Sequence, residues 1–255
     1  MNKTKIEWAT RSWNPVVGCS EISEACRNCY AKYFSWRIAR IAEARHDEPY
    51  AGKYRELVTR TGTRWTGKIA WFPERLKEPY GRDKRNERIF LGSMTDLFHP
   101  NVGTWMLDKI FDVIRETPNS TYLILTKRPT LTRKYWTRLG KEWRPDNVWL
   151  GVTAENQKRA DERIPELLAI PGVAVRFVSA EPLLEAIDFR QYMNGNSIDW
   201  IIVGAETGRG AREFRIEWGY QVLAQARNEG IPFFFKNLRG RAVPPENLYV
   251  REFPR

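Results

Sequence analysis

All the cysteines of this 255-residue chain lie close together, as Cys19, Cys26 and Cys29. The Cys26-x2-Cys29 spacing lets two thiolates reach one metal centre, and Cys19 can add a third. An odd cysteine count does not suit a set of disulfides, which are in any case rare in a reducing compartment. The spacing therefore predicts a metal centre on these three thiols, best interpreted as a [4Fe–4S] cluster.

A missing fourth ligand separates the possible kinds of centre. A structural zinc site closes its tetrahedron with four ligands. The chain offers only His46 and His99, neither at zinc-finger spacing from Cys29, although an Asp or Glu could take that place. A [4Fe–4S] cluster held by three thiolates instead leaves one iron open for a substrate or cofactor. Inert thiols are the third alternative.

The stretch that follows Cys29 has helical periodicity. Residues 30–44 place four apolar side chains on one face, at positions Tyr33, Phe34, Ile38 and Ile41. This pattern predicts a helix that begins just after the last cysteine. The positive end of a helix dipole favours thiolates and an anionic cluster, so the helix start suits the predicted centre.

Beyond residue 68, short apolar runs alternate with amphipathic stretches. The runs are rich in β-branched and aromatic residues and are continuous rather than alternating, which is typical of strands buried on both faces of a parallel sheet. The predicted strands are Ile69–Phe72, Ile89–Ser93, Thr121–Thr126, Val148–Thr153, Val175–Ser179, Trp200–Gly204 and Pro232–Lys236, with one more near the N-terminus.

Helical patterns fill the intervals at Thr104–Glu116, Asn156–Ile170 and Glu217–Asn228. Repeated strand–helix units predict an α/β fold, specifically a full or partial (β/α) barrel, in a single domain spanning residues 1–255. The charged segment at about 46–67, with several glycines, breaks this rhythm. We interpret it as an insertion or lid.

Polar side chains follow most of the predicted strands. In a (β/α) barrel, the C-terminal strand ends and their loops build the active site. The predicted mouth residues are Lys127, Glu181, Glu206 and Lys236 as catalytic groups and Arg128 and Asn237 as substrate-binding groups. Helix N-capping is the alternative explanation for such polar positions, and it fits Asn156 equally well.

The formal net charge of +11 indicates a polyanionic partner, and we expect a nucleic acid or a nucleotide. Basic side chains cluster at 84–88, 127–134 and 239–241. Aromatic and basic residues interleave at Tyr135, Trp136 and Arg138, which suits base stacking, although a solvated helix face would look the same. No apolar run is long enough to span a membrane, and the N-terminus lacks a secretory signal. We expect a cytoplasmic protein.

Nearly the whole chain resembles a phage- and bacteria-associated three-cysteine family of unknown function. The motifs that carry the resemblance are Ile6-Glu-Trp8, Ser12-Trp-Asn-Pro15, Gly18-Cys19, Cys26-x2-Cys29-Tyr-Ala31, Ser93–Phe98, Leu125–Pro129, Trp149–Val152, Ser179–Leu183, Asp199-Trp200 and Pro232–Lys236.

A three-cysteine loop that leads into a helix and then βα units also resembles the radical S-adenosylmethionine (SAM) superfamily. The superfamily's usual spacing is Cys-x3-Cys-x2-Cys, whereas this chain has six residues in the first gap. The resemblance implies that the open iron of the cluster binds the methionine part of SAM. It also implies reductive cleavage to a deoxyadenosyl radical, with an electron donor such as flavodoxin or ferredoxin.

The resemblance implies roles for further residues. Tyr30 would flank the adenine of SAM. Ser93, Thr95 and Asp96 would meet its methionine ammonium group. Its ribose would be met by Thr153, Glu155 or Ser179.

The resulting hypothesis is a radical-SAM-like iron–sulfur enzyme that modifies or repairs a nucleic acid or nucleotide. Two alternatives stay open at this point. One is a nucleic-acid-binding protein with a structural zinc site, which would bind no SAM. The other is an iron–sulfur redox or sensor protein whose cluster does not respond to SAM.

Overall fold

The structure is a computed structural model that describes residues 1–195, 197–208, 210–238 and 242–254. The basic positions Arg239 and Arg241 of the sequence analysis lie outside the described residues.

Ten strands are present in this described part of the chain. They are β1 (Asn2–Lys3), β2 (Arg11–Trp13), β3 (Val16–Val17), β4 (Ala70–Trp71), β5 (Arg88–Leu91), β6 (Thr121–Thr126), β7 (Val148–Thr153), β8 (Val175–Ala180), β9 (Trp200–Val203) and β10 (Phe233–Phe235).

The main sheet has the strand order β1-β2-β5-β6-β7-β8-β9-β10. Strand β1 pairs antiparallel with β2, and every other pair is parallel. The seven parallel strands curl into an open half-barrel, since no hydrogen bonds between described residues join β1 to β10. The predicted α/β barrel is therefore confirmed, in its partial form.

Six α-helices accompany the strands in the described residues. They are α1 (Tyr30–Ala44), α2 (Glu48–Arg55), α3 (Thr104–Glu116), α4 (Pro129–Arg138), α5 (Gln157–Leu168) and α6 (Ile216–Asn228). The helices predicted at Thr104–Glu116, Asn156–Ile170 and Glu217–Asn228 are confirmed to within two residues. A side-chain cap marks the start of α5, where the Asn156 side chain accepts a hydrogen bond from Arg159 N at 2.9 Å.

The predicted strand Ile69–Phe72 does not belong to the barrel. Only Ala70–Trp71 is extended, and it pairs antiparallel with β3 in a separate two-stranded sheet. The chain between α1 and β4 contains α2 and a loop. Neither of them acts as a crossover helix that would bring β4 into the main sheet parallel to its neighbours. The insertion predicted at about 46–67 therefore contains α2, which packs on α1. Its role as a lid stays a prediction.

Helix α4 was not predicted, and its aromatic side chains do not face solvent. Tyr135 and Trp136 are buried, and their rings pack against Phe111 of α3 at centroid distances of 5.2 and 5.9 Å. The prediction that they stack on bases is wrong, and a fully solvated helix face is excluded as well. These rings are core because α4 covers the outer side of the sheet beside α3.

The inner side of the half-barrel is filled by aromatic side chains. Trp8, Phe90, Phe177, Trp200 and Phe234 form one buried cluster there. Gly151 of β7 makes room for it, because a Cβ at Gly151 would stand 2.4 Å from the ring of Phe177, its direct neighbour on β8. The cluster forms the floor beneath the C-terminal strand ends.

No helix among the described residues is both long and apolar enough to cross a membrane.

We expect Gly151→Ala to lower the free energy of unfolding by about 1–3 kcal/mol, because an added methyl would overpack the aromatic cluster. Gly52→Ala is the matched control. Gly52 lies inside α2 with open space around it, so alanine there should stabilise by about 0.4–1 kcal/mol. Denaturant unfolding of both variants measures these changes in the free energy of unfolding. Equal stability of Gly151→Ala and the parent would contradict the packing argument.

Candidate metal and cofactor site

A cleft opens at the C-terminal ends of the parallel strands, above the aromatic cluster. The structure brings the residues predicted from sequence together there, with two exceptions. Glu155 lies fully buried beneath the cleft wall, and Asn237 lies next to Gly204 behind Lys236. The lining residues are Cys19, Cys26, Cys29, Tyr30, Ser93, Thr95, Asp96, Lys127, Arg128, Thr153, Ser179, Glu181, Glu206 and Lys236.

The cysteines sit on a loop between β3 and α1, which we call the cysteine loop (residues 18–29). It begins with a tight turn at Gly18, whose φ is +113° and where a Cβ would stand 2.2 Å from Lys68 O. A short 3₁₀ turn, Glu24–Cys26, follows. Cys29 is the N-cap residue of α1. The predicted helix start directly after Cys29 is therefore confirmed.

Arg128, at the end of β6, holds the first part of the cysteine loop. Its Nη1 donates to Asp96 Oδ2 at 2.7 Å and lies 3.9 Å from the Cys19 sulfur. Its Nη2 donates to the carbonyl and the hydroxyl oxygen of Ser20 at 3.2 and 3.0 Å. A guanidinium can serve several acceptors in one plane, so Arg128 joins the loop to the barrel. Its predicted contact with substrate stays a prediction.

Asp96 is the counterion that fixes Arg128. Besides the Arg128 pair, its carboxylate accepts hydrogen bonds from Thr126 Oγ1 at 2.7 Å, Lys127 N at 3.0 Å and Phe98 N at 3.2 Å. Both oxygens of this buried carboxylate are thus engaged within the protein. The predicted role of Asp96 as a partner of the SAM ammonium group remains untested.

Glu155, at the end of β7, holds the middle of the cysteine loop. Its Oε1 accepts a hydrogen bond from Ala25 N at 3.3 Å, and its Oε2 pairs with Arg163 Nη1 at 2.8 Å. Burial opposes the ionisation of Glu155, but the charges of Arg163 and Lys127 outweigh it and lower its pKa. A charged carboxylate is therefore present to bind the backbone of the loop.

Glu206, after β9, holds the last part of the cysteine loop. Its Oε2 accepts from Asn28 Nδ2 at 2.9 Å and from Arg212 N at 2.8 Å. The side chain of Arg212 forms an ion pair with Glu206 and also donates to Glu24 O at 3.0 Å. Both residues of this ion pair therefore contact the cysteine loop. Burial works against the ionised form of Glu206, yet hydrogen bonds from Arg212 and Asn28 lower its pKa.

An outer ion pair completes this attachment. Arg159 of α5 binds the Glu24 carboxylate with two nitrogens, at 2.9 and 3.1 Å. These hydrogen bonds lower the pKa of Glu24 to about 2. The cysteine loop is thus tied to the ends of β6, β7 and β9 through Arg128, Glu155 and Glu206, which we call the three loop clamps.

Two of the thiols are partly buried and have a cation beside them. Burial raises the pKa of the Cys19 thiol to about 11, with help from Asp96 and against the charge of Arg128. Burial also raises the pKa of Cys29, against the charge of Lys127. Lys127 lines the cleft and has no ion-pair partner among the described residues. A bound metal centre would replace the protons, and the two cations would then neutralise part of the negative charge.

The residues present fit an iron–sulfur centre in kind, and they line a single cleft. Within the described part of the chain, no group of three or more His, Cys, Asp or Glu side chains is already arranged to hold a metal ion. All three thiols nevertheless line the one cleft, with Arg128 and Lys127 beside them. Thiolates are the ligands that hold such clusters, and nearby positive charge stabilises them.

The histidines offer little to a zinc site. His99 Nδ1 accepts a hydrogen bond from Asn101 N at 3.1 Å, so the ring hydrogen is on Nε2, which lies 2.8 Å from Ser20 Oγ. Both ring nitrogens are therefore in use. His46 follows the far end of α1, roughly 20 Å along the helix from Cys29.

The opposite side of the cleft carries polar atoms without partners. Ser179 Oγ and Glu181 Oε1 belong to residues that line the cleft, and both atoms are buried with no hydrogen-bond partner among the described residues. The second oxygen of Glu181 pairs with Lys236 Nζ at 2.7 Å. Buried polar atoms are normally satisfied, so this group, which we call the open polar group, points to a ligand.

The remaining predicted cofactor residues lie between the cysteine loop and β5. Tyr30 donates its hydroxyl to Ser93 O at 2.8 Å, and Thr95 donates to Gly18 O at 2.6 Å. Asn14, which was not singled out as a site residue, contacts the Ser93 hydroxyl at 2.9 Å and accepts from Met94 N at 2.9 Å. Thr153 lines the cleft elsewhere, at the end of β7, where it pairs with Ser179 of β8.

Several residues that hold the site carried no clear sequence signal. Asn28, Arg163 and Arg212 complete the loop clamps, but isolated Asn and Arg residues occur throughout this basic chain. Asn14 alone could have been found, because it belongs to the Ser12-Trp-Asn-Pro15 motif quoted above.

Comparison with known proteins places the chain in a family. A family model described as a protein of unknown function (DUF5131) matches residues 3–245. This agrees with the resemblance to a family of unknown function, whereas an association with phages stays an expectation. No curated protein matches the sequence.

One solved structure, a cysteine-to-serine mutant of spore photoproduct lyase, is similar in fold. Its TM-score is 0.56 at 10% sequence identity, over 93% of this chain and 78% of that one. At such low identity the likeness concerns the fold alone.

We expect Asn28→Ala to loosen the cysteine loop without unfolding the barrel. The substitution removes the amide that donates to Glu206 and to Gly210 O, while Arg212 keeps the carboxylate paired. Losing about 1 kcal/mol of hydrogen bonding should speed exchange of the amides of residues 24–29 by about fivefold, measured by hydrogen-exchange mass spectrometry.

Asn101→Ala is the matched control, because Asn101 Nδ2 donates to a carbonyl outside the cysteine loop, Gly67 O, at 2.9 Å. Its effect should be confined to residues near 67. Unchanged exchange at residues 24–29 in Asn28→Ala would show that Glu206 does not hold the loop through Asn28.

Proposed function

We propose that this chain, which belongs to the DUF5131 family of proteins of unknown function, is a radical SAM-type enzyme. It would use a [4Fe–4S] cluster on Cys19, Cys26 and Cys29 to cleave SAM reductively and so modify or repair a substrate. We propose a nucleic acid or nucleotide as that substrate, and flavodoxin or ferredoxin as the electron donor.

One observation carries the proposal. Three thiols line a cleft at the C-terminal mouth of an open (β/α) barrel, and the open polar group faces that cleft from the other side. Three protein ligands leave one iron of a cubane cluster available to a second molecule. Polar protein atoms that can bind this second molecule therefore lie in the same cleft.

The fold likeness supports the proposal at the level of architecture. Spore photoproduct lyase is an enzyme by name, and its fold matches most of this chain. A shared fold does not fix a reaction, so the proposal depends on the chemistry of the cleft.

The bound cluster would supply an electron for the cleavage of SAM. The protein's own residues would position the reactants. The three loop clamps keep the cysteines over the mouth, and Arg128 and Lys127 offset the negative charge of the thiolates. The open polar group can accept from the hydroxyl or amino groups of SAM, while Lys236 pairs with the other oxygen of Glu181.

Apolar side chains make up part of the cleft lining. Trp8 and Phe90 lie on its floor, and Ile22, Tyr30 and Trp65 stand around its edge. Apolar walls around a cluster and a bound cofactor limit side reactions with solvent.

Anaerobic reconstitution of the parent protein should give about four irons and four sulfides per chain, and Cys26→Ala should lose most of both. The reduced parent should show an electron paramagnetic resonance signal that changes when SAM is added. Ser23→Ala is the matched control, because Ser23 lies in the same loop with its hydroxyl 3.8 Å from the Cys26 sulfur but is not a predicted ligand.

Stoichiometric zinc without sulfide would overturn the radical mechanism and leave a binding protein. A cluster whose signal ignores SAM would instead indicate a redox or sensor protein.

We further expect Ser179→Ala to weaken SAM binding at least threefold, measured by calorimetry on the reconstituted protein. The Ser179 hydroxyl is buried and has no hydrogen-bond partner in the described part of the chain, so its removal should not destabilise the free protein. Ser35→Ala is the matched control, since the Ser35 hydroxyl is equally buried and unpartnered but lies on the inner side of α1. Equal SAM affinity of the two variants would show that Ser179 does not contact SAM.

A further inference from the structure

Helix α1 presents its large apolar side chains to solvent. Tyr33 is 55% exposed, Phe34 is 45% exposed, and Tyr30 and Ile41 are each 41% exposed. The buried residues of α1 are small except for Lys32, and the small ones are Ala31, Ser35, Ala39 and Ala42. An apolar stripe on an amphipathic helix is normally the buried one. A large exposed apolar face marks a site of interaction.

The exposed rings of Tyr30, Phe34 and Tyr33, together with the half-buried ring of Trp36, form a continuous series that starts at the cleft. Tyr30 lines the cleft and contacts Phe34 edge-on at a centroid distance of 6.0 Å. Phe34 contacts Tyr33 at 6.4 Å, and Tyr33 contacts Trp36 at 5.9 Å with an interplanar angle of 31°. We call these four residues the aromatic ridge.

Positive charge flanks the aromatic ridge. Arg27 and Arg37 are exposed on either side of the first turns of α1, and neither has an acidic partner among the described residues. The loop at 59–64 adds Arg60 and Arg64, both exposed, and it is fixed to the ridge by a hydrogen bond of 3.0 Å from Trp36 Nε1 to Arg60 O.

The nearby acidic groups do not cancel this charge. Glu21 pairs with the buried Lys32 at 2.6 Å, and Glu43 pairs with Arg55 at 2.7 Å. The ridge therefore combines flat, exposed rings with unpaired guanidinium groups. This is the combination that single-stranded nucleic acids require, because bases stack on the rings while phosphates meet the cations.

We propose that the aromatic ridge binds single-stranded nucleic acid and leads one of its nucleotides into the cleft. The single strand is favoured over a duplex because paired bases stack on each other and do not expose their faces. An acidic protein would be attracted by the arginines, but it would not require a series of rings that ends in the cleft. What happens to the nucleotide in the cleft rests on the proposed function, whereas the binding of the single strand to the ridge does not.

The test uses the full chain without cluster or SAM, and a fluorescein-labelled oligothymidylate of about twelve nucleotides, a length within the usual site sizes. Fluorescence anisotropy should show binding by the parent. Tyr33→Ala should bind about tenfold more weakly, because one stacked base is lost. Trp143→Ala is the matched control: Trp143 is also 55% exposed but precedes β7, at the opposite end of the strands from the cleft.

A charge variant tests the phosphate contacts separately. Arg37→Gln should weaken binding and reduce the slope of log affinity against log salt by about 0.7, the value for one phosphate contact on a single strand. Arg85→Gln is its control, because Arg85 is exposed and lies before β5, away from the cleft.

Four results would overturn the inference. Tyr33→Ala could bind as tightly as the parent, or Trp143→Ala could weaken binding equally. The duplex form of the oligonucleotide could bind more tightly than the single strand. A flavodoxin that binds the parent but not Tyr33→Ala, with no binding of the oligonucleotide, would reassign the ridge to an electron donor.

These outcomes are independent of the proposed function. The binding assay contains neither iron nor SAM, so its failure leaves the cluster measurements intact. If the chain binds the oligonucleotide but assembles no cluster, the proposal about the aromatic ridge stands and the proposed radical mechanism is wrong.

Discussion

The cysteine loop has almost no regular structure, and its place above the barrel depends on buried ion pairs. Glu155 and Glu206 each bind a cation and a loop amide, and Arg128 binds Asp96 and Ser20. Removing one partner of such a buried pair leaves an uncompensated charge, at a typical cost of about 3–5 kcal/mol. The pairs therefore hold the thiols in one place, which a site for a multi-iron centre requires.

This attachment divides the mouth of the barrel into two halves. The strand ends of β6, β7 and β9 are used largely to hold the loop. The end of β8 supplies the open polar group, in which Ser179 Oγ and Glu181 Oε1 have no hydrogen-bond partner among the described residues. Acidic residues at equivalent strand ends thus have different tasks, since Glu155 and Glu206 support the site while Glu181 faces the cleft.

Small residues decide which surfaces meet and which stay exposed. Gly151 allows the Phe177 ring to fill the half-barrel beneath the cleft. Ala39 of α1 packs against Tyr54 of α2 in one buried cluster, while the larger Tyr33 and Phe34 of α1 are exposed. The floor of the cleft and the surface beside it both follow from positions where a larger side chain would not fit.

The sequence by itself determined the features that depend on neighbouring residues in the chain. Cysteine spacing, the start of α1 after Cys29, the cap at Asn156 and most strands could be predicted, because spacing, capping and hydrophobic period are local. The strand ends also predicted which residues meet, since parallel strands bring their carboxyl ends to one edge.

Only the tertiary structure decided what these residues contact. Ala25 and Glu155 are 130 positions apart, and Asn28 and Glu206 are 178 apart, so no local pattern shows that these carboxylates hold the loop. The same limit applies to burial. Periodicity shows that a helix has an apolar stripe, but the packing partner determines whether that stripe is buried, as in α4, or exposed, as in α1.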